Sequence, residues 1–176
     1  SITGTKTYDG TTNFATGTLA TAGAVNGETI TLTAGNGTTT SANAATYAGS
    51  TLTGLVMSVS GGNALASNYA LPGTGDLTIT PANLSITGTK TYDGTAQFNA
   101  GALSVTGLIG SDAIGTATAL SQNVIDNGSN YFTNFTLSTG SAANYQLASA
   151  GVNSDAQITP ANLSITGTKT YDGTTN

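Results

Sequence analysis

Histidine, cysteine, tryptophan and arginine are all absent from this chain. Without cysteine there is no disulfide, thiol nucleophile or thiolate metal site. Without histidine, ordinary zinc sites and Ser–His–Asp or Cys–His catalysis fall away. Charge is scarce too: three lysines and eight acids make up 6% of the 176 residues and leave a net charge of −5. Nucleic acid is disfavoured as a partner, because phosphate binding needs clustered Lys and Arg. No apolar run approaches the roughly 18 residues of a membrane helix, so this segment is not expected to insert into a bilayer. Nothing marks two acids in one cleft, and no glycine-rich segment has a phosphate-loop pattern, so no catalytic site is expected.

What is present is repetition. SITGTKTYDGT occurs at Ser1–Thr11, Ser85–Thr95 and Ser164–Thr174. Ile79-Thr80-Pro81-Ala82-Asn83-Leu84 returns as Ile158-Thr159-Pro160-Ala161-Asn162-Leu163. Recurrence at this spacing means one structural unit used again. The chain therefore reads as repeat 1 over 1–83, repeat 2 over 84–162, and the first strand of a third repeat over 163–176. A unit of about 80 residues buries about 60–65% of its unfolded surface, enough for a modest core of its own.

The local pattern is that of strands. Ile2, Gly4, Lys6 and Tyr8 alternate with Thr3, Thr5, Thr7 and Asp9, and Asp9-Gly10 supplies a turn. Asn26-Gly27, flanked by Leu19/Val25 and Ile30/Leu32, predicts a hairpin. Asn36-Gly37 predicts a further turn, followed by a strand carrying Leu52, Leu55, Met57 and Val59. Asn68-Tyr69-Ala70-Leu71 and Asn144-Tyr145-Gln146-Leu147 each predict a strand opened by a polar turn residue. Leu77–Thr80 and Ala156–Thr159 close the two units, ended by Pro81 and Pro160, because proline cannot donate to a ladder. No window has a helical period, and 24 glycines would weaken any helix. The predicted fold is all-β: tandem small β-sandwich (Ig-like) repeat domains joined by short Pro-containing linkers.

The opening Lys-Thr-Tyr-Asp-Gly-Thr at Lys6–Thr11, Lys90–Thr95 and Lys169–Thr174 resembles the YDG repeat domain. The Asn-Tyr-x-Leu followed by Leu-Thr-Ile-Thr-Pro-Ala is similar to the related MBG repeats. That resemblance covers the repeat landmarks of the whole chain. It implies a β-rich module of a large bacterial surface or secreted adhesin of filamentous-haemagglutinin-like type, hence an extracellular location. It supplies no catalytic residue and no receptor. The expected role is a non-enzymatic stalk or spacer that extends a binding region from the cell and supports adhesion or biofilm, with neighbouring repeats as partners. The rival expectation is that the repeats are themselves an adhesive module for host or matrix glycans or surfaces.

Nearly every charge recurs between units: Asp9 with Asp93, Glu28 with Asp112, Asp76 with Asp155, and the three lysines together. No cofactor is expected. Calcium is the one metal the composition leaves open, with Asp76 and Asp93, and Asp155 and Asp172, either side of a joint as candidates; a turn-forming role for these acids is the plainer reading. Lys6 and Lys90 share a strand face with apolar residues, where an unpaired charge is costly. They are candidates for a Lys–Asn or Lys–Asp isopeptide bond with Glu28 and Asp112 as helper acids, or more simply for a salt bridge or a lysine snorkelling to solvent. Tyr47, Tyr131, Phe132 and Phe135, with the Thr29–Thr33 hydroxyl row, offer a binding surface or, more simply, core and solvated strand face. The third opening can also pair with the preceding unit and lock the joint.

Overall fold

The computed structural model describes residues 1–62, 65–148 and 154–175. The first unit contains β1 (Ile2–Thr7), β2 (Asn13–Ala15), β3 (Leu19–Thr21), β4 (Thr29–Thr38), β5 (Ala45–Ser60) and β6 (Thr74–Thr80). The second contains β7 (Ala82–Thr91), β8 (Gln97–Asn99), β9 (Leu103–Thr106), β10 (Ala113–Ala119), β11 (Phe132–Thr139), β12 (Tyr145–Leu147) and β13 (Ser154–Thr159). Among the described residues there is no α-helix, only single turns of 3-10 helix. The chain is all-β.

The opening strands follow from their alternation. In β1, Ile2 and Gly4 are buried while Thr3, Thr5 and Thr7 face solvent. Glycine at the fourth position is a packing requirement: a Cβ on Gly4 would lie 2.8 Å from Leu77 and 3.1 Å from the Phe14 ring. The order in the first unit is β2-β4-β5-β6-β1-β3. In the second, β11-β10-β8 form one sheet, and β7 collects β12, β13 and β9 in another. Both of these sheets feed one core, with Leu84 and Ile86 from β7 and Ile158 from β13 against Phe98, Ala117 and Phe132. A separate core in the first unit gathers Ile2, Phe14, Leu52, Leu77 and Ile79.

One pairing sets the geometry of the whole chain. The first and last strands of each unit run parallel: β1 beside β6, Thr3 opposite Asp76 to Thr7 opposite Thr80, and β7 beside β13, Ser154 opposite Ile86 to Thr159 opposite Thr91. A chain that enters and leaves a unit in the same direction exits at the end opposite its entry. Between β6 and β7 stands only Pro81.

Three local expectations are corrected. Asn26-Gly27 does turn, with φ of 54° and 71°, but it does not close a hairpin. β3 pairs with β1, while β4 pairs with β2 and β5. Asn36-Gly37 lies inside β4 instead of in a turn. Gly37 is there because β5 and β6 side chains press on it, a Cβ standing 2.7 Å from Leu77 and 3.1 Å from Leu52. Tyr145–Leu147 is a strand but Tyr69–Leu71 is not. β12 exists by pairing with Ala82–Leu84, and among the described residues Tyr69–Leu71 has no such strand beside it.

The third opening differs from its two copies. Residues 160–175 lie in no strand, and Leu163, Ile165 and Tyr171 are more than nine-tenths exposed; Asn176 lies outside the described residues. Both other openings are held by a closing strand of their own unit and by a short antiparallel neighbour. Among the described residues the third opening pairs with no strand.

Candidate functional site

The repeated opening builds a lysine-centred turn at the end of its strand. Lys6 Nζ donates to Asp9 Oδ1 at 2.7 Å, to the Thr11 carbonyl and hydroxyl at 2.8 Å each, and to the Asn13 carbonyl at 2.9 Å. Lys90 repeats the pattern with Asp93 at 2.6 Å, Thr95 carbonyl and hydroxyl at 2.8 and 2.9 Å, and Gln97 carbonyl at 2.8 Å. Each aspartate closes the turn from the other side by accepting from the backbone N–H and hydroxyl of Thr11 or Thr95. The lysine side chains are only 8% and 10% exposed, and each ammonium stands about 5 Å from a buried ring, 5.2 Å over Phe14 or 5.1 Å over Phe98. The stem covers the core and the charged head ties down the loop, which explains why Lys, Asp and Thr recur at this spacing.

Electrostatics agree with the contacts. Asp93 is held down to about 2 by the Lys90 hydrogen bond first and the Thr95 N–H next. Asp172 is lowered by Lys169 in the same way. At Asp9, partial burial pushes upward, yet the Lys6 and Thr11 hydrogen bonds outweigh it and the carboxyl sits below its ordinary value. The third opening makes the turn with no sheet around it, Lys169 reaching Asp172 at 2.8 Å and the Thr174 carbonyl at 2.9 Å. The motif is therefore local.

A second constellation joins the two units. Tyr145, buried on β12, donates its hydroxyl to Asp112 at 2.6 Å and accepts from the Ile109 N–H at 3.0 Å. Burial first, and then the Asp112 carboxylate, push its phenol up to about 12. Onto this pair comes Tyr8 of the first unit, edge-on to Tyr145 with ring centroids 5.4 Å apart and its hydroxyl 3.5 Å from Asp112. Beside it, Asn144 accepts from the Ala44 N–H at 2.8 Å and donates to the Asn43 side chain at 3.0 Å. Asn144 is 2% exposed, so both the oxygen and the nitrogen of its buried amide find their partners across this contact. A Cβ on Gly10 would stand 3.3 Å from Ile109, which brings the Tyr-Asp-Gly turn itself into the joint.

The remaining candidates are engaged elsewhere. Lys6 and Lys90 are brought to Asp9 and Asp93, and not to Glu28 and Asp112. Glu28 accepts from the Tyr69 hydroxyl. Asp76 accepts from the Gly49 N–H at 3.0 Å, and Asp155 from Gln157 at 2.7 Å. Asp76 and Asp93 stand on opposite sides of the β6–β7 run, and among the described residues no group of three acids could hold a metal ion. Phe132 is buried, and Tyr47 and Phe135 pack against the two cores. Sequence reasoning missed Asn43, Ala44 and Asn144. The available signal was the repeat of Asn-Tyr at Asn68 and Asn144, and of Ser-x-Asn at Ser41 and Ser121.

The site's repetition matches what comparison finds. The model of the YDG domain matches residues 1–78 and again 75–152. Comparison with curated proteins and with solved structures returns no match. With the lysine turn and the joint built from the motif that defines the repeat, the chain belongs to the YDG domain family, in two consecutive copies.

Proposed function

We propose that this chain is a non-enzymatic stalk or spacer of a bacterial cell-surface or secreted adhesin, holding a binding region away from the cell. The observation that carries the reading is the parallel pairing of first and last strands in each unit. Entry and exit at opposite ends, with one residue between β6 and β7, set successive units in a row. The Tyr8–Tyr145 and Asn43–Asn144 contacts fix that row against bending.

On this reading the units are Ig-like sandwiches divided at the Pro-containing joints, 1–83 and 84–162, with 163–176 opening a third. The two facing sheets of the second unit, sharing one core, support the sandwich. An extracellular place suits a surface wetted by Thr, Ser, Asn and Gly, with little charge for nonspecific attachment. The carboxylates are committed to turns, strand ends and the joint, which favours structure over catalysis. A glycan array probed with the whole chain tests the assignment. A spacer gives no saturable signal, whereas specific saturable binding would transfer the adhesive role to the repeats themselves.

A further inference from the structure

Tension along the chain meets each unit in one direction. It enters at the start of the first strand and leaves at the end of the last, and these two strands are the parallel pairs β1–β6 and β7–β13. Pulling their opposite ends slides one strand along the other. All the ladder bonds between them then bear the load together, whereas strands pulled apart from a shared end lose those bonds one at a time. Thr3 to Thr7 supply five partnered positions in the first unit, and Ile86 to Thr91 six in the second.

Both ladders are reinforced where the load leaves. The Tyr8 N–H donates to the Thr80 carbonyl and the Tyr92 N–H to the Thr159 carbonyl, each at 2.8 Å. The Thr80 hydroxyl donates back to the Lys6 carbonyl at 3.2 Å, and the Thr159 hydroxyl to the Lys90 carbonyl at 3.3 Å. Thr80 and Thr159 end their strands directly before Pro81 and Pro160. The repeated Ile-Thr-Pro and Lys-Thr-Tyr runs thus meet across one strand end.

The outer edge of the last strand is held by different means in the two units. β6 has β5 beside it, with Ala45 opposite Ile79. Among the described residues β13 pairs with β7 alone, and single contacts take the place of a second strand. The Asn127 amide donates to the Ile158 carbonyl at 2.8 Å and accepts from the Ile158 N–H at 3.0 Å. One side chain thereby meets both backbone groups of Ile158 and covers the edge as a strand would. The Ala156 N–H adds a bond to the Asn130 carbonyl at 3.2 Å, and the Phe132 N–H one to Ser154 Oγ at 2.8 Å.

We propose that the parallel first and last strands of each unit form a shear clamp that keeps the unit folded under tension, with the Asn127 amide latching the outer edge of the second clamp. The use of such a clamp rests on the spacer reading, because a row that holds a binding region away from the cell carries pull along its length.

The test pulls the second unit, within the whole chain, in two directions by optical tweezers. Handles are coupled to introduced cysteines, unique because the chain has none of its own. Asn83→Cys with Asn162→Cys loads the β7–β13 ladder in shear. Thr91→Cys with Asn162→Cys opens the same ladder from its exit end, Thr91 standing opposite Thr159. All three positions are exposed, so the circular dichroism of both variants should match the parent. At one pulling speed, shear should need roughly twice the force of opening. Asn127→Ala should speed forced unfolding in shear about tenfold, through the loss of its two bonds to Ile158. Equal forces in the two directions would overturn the clamp whatever a glycan array returns, so the two readings fail separately. A shear rate unchanged by Asn127→Ala would overturn the latch.

Discussion

Phe98→Ala is expected to cost the second unit about 3–5 kcal/mol, the usual range for emptying a fully buried aromatic site. Phe98 is 0% exposed and meets Phe132 edge-on at 5.0 Å and 85°. Its ring also lies 5.1 Å beneath the Lys90 ammonium. Truncation therefore opens a cavity in the core that the two sheets share and removes the surface that Lys90 covers. For a unit of this size, such a loss approaches the whole of its stability. The first unit has its own core around Phe14, Leu77 and Ile79, so urea unfolding should show one transition displaced or lost and the other kept. A cost below about 1 kcal/mol would mean that the two sheets do not share a core.

Lys90→Met should destabilise the same unit by about 1 kcal/mol, since Asp93, Thr95 and Gln97 lie at the surface and water takes over part of what the lysine gave them. Methionine keeps the apolar stem over Phe98 and deletes the charge, with its hydrogen bonds to Asp93, Thr95 and Gln97 and its place over the ring. Arginine would not restore them, since a planar guanidinium does not match four acceptors gathered around one point. The substitution also carries a pH signature. The folded Asp93 carboxyl is depressed to about 2 from an ordinary 3.8, by Lys90 above all. Its contribution is therefore present above that ordinary value and is lost as pH falls through about 2. Melting curves of the parent should steepen their decline between pH 4 and 2, and those of Lys90→Met should decline less over that window. Identical acid profiles would show that the lysine does not hold the turn.

These two residues also show how far the sequence reaches. The alternation of Ile2, Gly4, Lys6 and Tyr8 placed Lys6 on the inner face of a strand, and the structure agrees. Its partner was harder to see. Glu28 and Asp112 were the acids expected near the lysines, yet Asp9 and Asp93 occupy the place, because the Tyr-Asp-Gly turn folds residue i+3 back over the strand end. Asn36-Gly37 carried a turn signal that packing overrode, the glycine being needed to let Leu52 and Leu77 close in. The joint lay furthest from view. Its bonds link Asn43 with Asn144 and Tyr8 with Tyr145, more than a hundred residues apart, and no local pattern encodes such a separation. Only repetition hints at it, through the Tyr and Asn residues that recur in each unit.

The central claim is that the two units stand in a fixed row, and small-angle X-ray scattering of the whole chain addresses it most directly. A ten-residue strand spans about 33 Å, so two units in line give a maximum dimension of about 70–90 Å. The account predicts one rigid elongated particle in that range, and a looser profile when Asn144→Ala is combined with Tyr8→Ala to undo the joint. A compact particle, or a freely jointed profile already present in the parent, would contradict it.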